Sequence, residues 1–110
     1  VSEKDVEKYF HRQVVKLGGT SRKFSSPSRV GVPDRIALLR FGVVWFVEIK
    51  DDDGTPTVRQ IRELEEYNRL GHHTAIAYGN AGVDDVIREM EYSIVTARKG
   101  EFLYPIRFGY

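Results

Sequence analysis

From Ser2 to Leu17 the apolar residues Val6, Phe10, Val14 and Leu17 fall on one helical face with Tyr9 beside it, which predicts an amphipathic helix. Ser2 and Asp5 stand where a cap would, and Gly18-Gly19 supply the left-handed residue that ends such a helix. Alternation with a period of two then takes over. Thr20–Phe24 reads as a short strand, Ser25–Gly31 as a polar loop, and Asp34–Leu39 and Val43–Lys50 as two strands joined by Arg40-Phe41-Gly42. Asp51–Gly54 make a loop, and Thr57 followed by Gln60 is a capping-box pattern that opens a helix running to Leu70, with Gly71 as its stop. His73–Tyr78 predicts a strand and Val83–Met90 a short helix. Tyr92–Ala97, Arg98-Lys99-Gly100 and Glu101–Tyr104 read as a terminal hairpin. The order is helix, three strands, helix, strand, helix and hairpin, an α/β or α+β sandwich around one sheet.

The turn at Arg40-Phe41-Gly42 decides which side chains meet. Three residues fit a type I turn closed by Gly42 in a left-handed conformation. Leu39 then pairs with Val43, Ile36 lies opposite Phe46, and Asp34 lies opposite Glu48. Asp34, Ile36 and Leu38 share a face with Val44, Phe46, Glu48 and Lys50. The two carboxylates face each other with Cβ atoms roughly 5 Å apart, and Lys50 follows one pleat further on. A two-residue turn would put them on opposite faces. Directly opposed carboxylates repel, and a hard divalent cation such as Mg²⁺, which prefers oxygen ligands, relieves that repulsion. The Lys50 ammonium beside it would orient an attacking water or stabilise negative charge on a phosphate. Such a set suits phosphodiester hydrolysis. Glu3 and Glu7, four apart on the first helix, both qualify as a third carboxylate.

Composition narrows the field further. The chain has 110 residues, enough for one domain, and 12% of them are aromatic, which argues against disorder. The longest apolar run, Val43–Val47, is far short of a membrane span of roughly 20 residues. Glu3, Asp5 and Glu7 stand where a secretory signal would need an apolar core. With no cysteine, thiol nucleophiles, disulfides and cysteine-ligated zinc are excluded, and the chain suits a reducing cytoplasm. The net charge of +1 hides an asymmetry: residues 1–40 hold nine Lys/Arg against four acids, and the remainder is acidic. A basic half invites a polyanionic partner.

Gly31-Val32-Pro33-Asp34-Arg35 followed by Val47-Glu48-Ile49-Lys50 resembles the PD-(D/E)xK nuclease signature. The surroundings resemble the stand-alone VRR-NUC domain of viral or bacterial type: Glu3 and Glu7 ahead of Gly18-Gly19, Lys23 before Ser25-Ser26-Pro27, Gln60 in the next helix, and Gly71. The likeness spans about residues 2–90. It implies a restriction-endonuclease-like core (helix, three-stranded antiparallel meander, helix, strand) across a single domain. It also implies a Mg²⁺- or Mn²⁺-dependent, structure-selective DNA endonuclease, similar to Holliday-junction resolvases and working as a homodimer on four-way junctions in a bacterial cell or phage-infected host. By that resemblance Asp34 and Glu48 are metal ligands, the Ile49 carbonyl a further ligand, Lys50 the catalytic lysine, Glu7 the helix carboxylate, and Gln60 a residue at the edge of the site.

Lys23, Arg29 and Arg35, with Ser25 and Ser26, are the candidate DNA contacts, although loop composition alone would explain the serines. Asp51-Asp52-Asp53 departs from a phosphate-friendly surface. His72 and His73 point to opposite faces on entering a strand, which disfavours a shared metal, and His11 is expected at the surface. Trp45 belongs on the face opposite Glu48, against a helix. A branch-binding module that does not cut is the main rival, and cleavage of flaps or other DNA the second. The first has no need of opposed carboxylates.

Overall fold

The computed structural model describes residues 1–98 and 104–109. In chain order the elements are α1 (Glu3–Lys16), β1 (Thr20–Lys23), β2 (Arg35–Leu38), β3 (Val44–Lys50), α2 (Val58–Arg69), β4 (His73–Tyr78) and α3 (Gly79–Ala97), with a single 3₁₀ turn at Arg40–Gly42. Ser2 caps α1 by accepting the Asp5 N–H at 3.1 Å, and Gly18 adopts φ 85° just beyond its end. Thr57 and Gln60 close a reciprocal capping box on α2. The predicted restriction-endonuclease-like α/β order therefore holds through β4.

The four strands lie in the order β1-β2-β3-β4, antiparallel up to β3 and parallel between β3 and β4, with α2 as the crossover. The hairpin register is the one that a three-residue turn imposes: Arg35 pairs with Val47, Ile36 with Phe46 and Leu38 with Val44. The turn itself differs from a type I turn, since both Phe41 (φ 60°) and Gly42 (φ 75°) are left-handed. Alternation then sorts the two faces. Ala37, Trp45, Val47 and Ile49 are buried with Val6, Phe10 and Val14 of α1 and with Val83, Val86 and Met90 of α3. On the other face Phe46 meets Tyr67 of α2 edge-on at 4.9 Å between ring centroids and Phe24 at 6.1 Å. Trp45 stacks on His73 at 4.7 Å and donates its indole N–H to Ser93 Oγ of α3 at 3.0 Å. His72 instead lies against Phe46, so the two histidines do part to opposite faces.

The chain beyond β4 departs from expectation. Instead of a short helix and then a strand, one helix of 19 residues runs from Gly79 through Ala97 and takes in all of Tyr92–Ala97. Val83, Val86, Ile87, Met90, Ile94 and Ala97 repeat at helical spacing and lie against the core, so the apolar stripe does not stop at Met90. Burial of that stripe outweighs the poor helix propensity of Gly79 and Gly82. Gly79 is needed where it stands: its φ is 63°, and a Cβ there would run into the Asp52 carboxylate. Residues 104–109 form no strand, and the turn and most of the second strand of the expected hairpin lie in residues 99–103, outside the described residues. His11 is half-buried rather than at the surface, its Nδ1 2.7 Å from the hydroxyl of buried Ser21.

Candidate metal centre

Asp34 immediately precedes β2, and Glu48 and Lys50 alternate on β3, so the sheet alone brings them together. The Asp34 Oδ2 accepts the Ile49 backbone N–H at 2.8 Å, which ties the open end of the hairpin. Glu48 is 1% exposed, and neither of its oxygens has a hydrogen-bond partner among the described residues. Lys50 Nζ lies 3.0 Å from Glu48 Oε2 as an ion pair, its side chain only 12% exposed. Burial pushes the Glu48 carboxyl up to about 7, with the charge of Asp34 adding to the rise and Lys50 opposing it. Burial acts against the Lys50 ammonium, but Glu48, Glu3 and Asp34 more than offset it, and its pKa is raised. The lysine is therefore a fixed cation rather than a base.

One oxygen each from Glu3, Asp34 and Glu48 can lie within 4.8 Å of one another. The α1 carboxylate in that group is Glu3, from the first turn. Glu7 is engaged elsewhere: its Oε1 accepts the Arg35 Nε–H at 2.9 Å and lies 3.5 Å from Lys23 Nζ. Strand alternation explains the capture, because Arg35 shares with Ala37 the face of β2 that packs on α1. The donor set fits a hard divalent cation, being all carboxylate oxygen, with the buried Glu48 carboxylate met by the Lys50 ammonium on one oxygen and by nothing on the other among the described residues.

The other expected residues are placed as follows. Gln60 Oε1 accepts the Thr57 N–H at 2.8 Å and so serves the helix cap. The Ile49 side chain is buried in the core on the α1 and α3 side. Arg29 Nε donates to both oxygens of Glu63 at 2.9 and 3.1 Å, and Tyr67 donates to Glu63 Oε2 at 2.8 Å. Burial and Glu63 together push the Tyr67 hydroxyl up to about 12, so it remains a donor. Ser25 is exposed and Ser26 half-buried, and neither hydroxyl has a protein partner among the described residues. Buried Glu63 escaped the sequence reading. Its i,i+4 spacing to Tyr67 on α2 was the signal available.

A known structure titled "VRR_NUC domain" superposes with a TM-score of 0.73 at 33% identity, covering 80% of this chain and 97% of that one. The chain belongs to the VRR-NUC nuclease family. A second VRR-NUC domain protein shares the fold at a TM-score of 0.63 and 16% identity, over 80% of this chain and 86% of its own. The phage protein named "Putative nuclease p44", of Acyrthosiphon pisum secondary endosymbiont phage 1, is 41% identical over 76 residues, spanning 69% of this VRR-NUC chain and 82% of its own. No family model matches the sequence.

Proposed function

We propose that this VRR-NUC protein is a Mg²⁺- or Mn²⁺-dependent endonuclease that hydrolyses phosphodiester bonds of branched DNA, with four-way junctions as substrate and a homodimer as the working unit. The observation that carries the reading is Glu48, a buried carboxylate set beside Asp34 and Glu3, whose one close cation is a lysine that keeps its charge. Asp34, Glu48 and Glu3 would hold the ion, with the Ile49 carbonyl as a further ligand. Glu7 keeps α1 in place through Arg35. The ion would supply Lewis acidity toward a phosphate oxygen and the attacking water. Lys50 contributes a fixed positive charge where the phosphate gains negative charge, and it costs no reorganisation there because Glu48 already holds it. Lys23, Ser25, Ser26, Arg29 and Arg35 lie in the basic N-terminal half, with Arg35 serving the fold first and the backbone of the substrate only indirectly. A two-fold pair of sites would match the two opposed strands of a junction. The cytoplasm of a bacterial cell or phage-infected host supplies such DNA. Among the described residues no helix is long and apolar enough to cross a membrane.

The test is a cleavage panel of junction, flap, duplex and single-stranded DNA with Mg²⁺, Mn²⁺ or EDTA. Wild-type protein should cut junctions with either metal and cut nothing in EDTA. Lys50→Ala should lose roughly 10²–10³ in rate, the scale of losing one preorganised charge at a reacting centre. A Lys50→Ala protein that cuts at the wild-type rate would rule the assignment out.

A further inference from the structure

Arg59 and Arg62 stand three apart on the first turns of α2, both exposed and without a partner among the described residues. They line a recess of about 380 Å³ together with Ser28, Arg29, Val30 and Glu63. The recess has fixed walls. Gly31 has φ 89°, and a Cβ on it would stand 3.0 Å from the backbone of Arg59, so the 28–33 loop is seated directly on the helix. Arg29 is anchored as well: its Nε is spent on the two oxygens of buried Glu63, which Tyr67 also holds. Its two terminal nitrogens have no partner among the described residues, and the side chain is 65% exposed. Glu63 thus works as a clamp that aims a guanidinium outward. Three guanidiniums against the one carboxylate of Glu63 leave the recess with two net positive charges, and planar N–H forks match phosphate oxygens.

Both walls are joined to the metal centre by short stretches of chain. The loop reaches Asp34 three residues after Gly31, and α2 begins eight residues after Lys50. We propose that this recess is a phosphate-binding subsite for the DNA strand, in which Arg59, Arg62 and the clamped Arg29 hold a backbone phosphate away from the bond that is cut. The proposal rests on the nuclease reading and adds to it where the strand lies.

The test is binding of fluorescein-labelled duplex and four-way-junction DNA by anisotropy in EDTA, across a salt series. Arg59→Ala/Arg62→Ala should weaken binding roughly ten-fold near 0.1 M salt and reduce the slope of log K against log salt by about 2. Arg59→Lys/Arg62→Lys should keep most of the slope, and Arg88→Ala, which removes an exposed arginine paired with Asp85 on α3, should leave it unchanged. Melting temperatures and Mn²⁺ affinity of the alanine variant should match wild type. An unchanged slope in the alanine variant overturns the subsite even if the wild type cleaves DNA, and so does a wild type that binds no DNA. A wild type that binds with the expected slope but never cleaves overturns the nuclease reading and leaves the subsite standing.

Discussion

Burial raises the Glu48 carboxyl to about 7 from an ordinary value near 4.5, so between those pH values the folded protein binds more protons than the unfolded chain. Stability of the metal-free protein is therefore greatest at the acid end of that window and falls as pH rises through about 7. Melts in EDTA should show a lower midpoint at pH 8 than at pH 5, by several degrees, since 1 kcal/mol shifts a domain of this size by roughly 4–8 °C. Glu48→Gln should flatten the profile and melt higher than wild type at pH 8 while losing cleavage. An equally steep profile in that variant would remove Glu48 as the cause. The pairing of Asp34 with Glu48 was legible in the sequence because strand alternation and a three-residue turn are short-range rules. That Glu3 rather than Glu7 stands beside those two carboxylates was not, because it depends on Arg35 pairing with Glu7 from another element. A divalent-ion titration separates them: Glu3→Gln should weaken Mn²⁺ binding about ten-fold, and Glu7→Gln should leave it within two-fold.

Elements carry a different kind of constraint. The Glu7–Arg35 pair joins α1 to β2 with both side chains largely buried, at 16% and 14% exposed. Removing one partner strands the other charge, so Glu7→Ala should destabilise the fold by about 2 kcal/mol in urea unfolding, more than an exposed ion pair is worth. Replacing Arg88 or Asp85, an exposed pair on α3, should change stability by less than about 0.5 kcal/mol. Most elements could be read from the chain because caps and glycine stops mark them, as at Ser2, Thr57 and Gly71. α3 could not. Gly79 and Gly82 hide its start, and in sequence Tyr92–Ala97 reads as a strand, while the stripe from Val83 to Ala97 continues as helix because it is packed on β3, β4 and α1. Tertiary burial overrode local propensity there.

For the molecule as a whole, ligand linkage sets the scale. An ion bound only by the folded state stabilises it by about 2.7 kcal/mol at a hundred times its dissociation constant. Mg²⁺ or Mn²⁺ should thus raise the melting temperature, and the increment should grow from pH 6 to pH 8 as Glu48 sheds its proton. An increment independent of pH would place the ion elsewhere. Glu48 and Lys50 lie on the sheet face opposite Trp45, with only the first turn of α1, at Glu3, reaching round to them. That separation gives the chain a built-in optical gauge. Trp45 is the single tryptophan, sandwiched between His73 and α3 on the far side of the sheet from Glu48. Its emission should follow cooperative unfolding yet stay constant during metal titration of folded protein, so one cuvette reports on the scaffold without interference from events at the carboxylates.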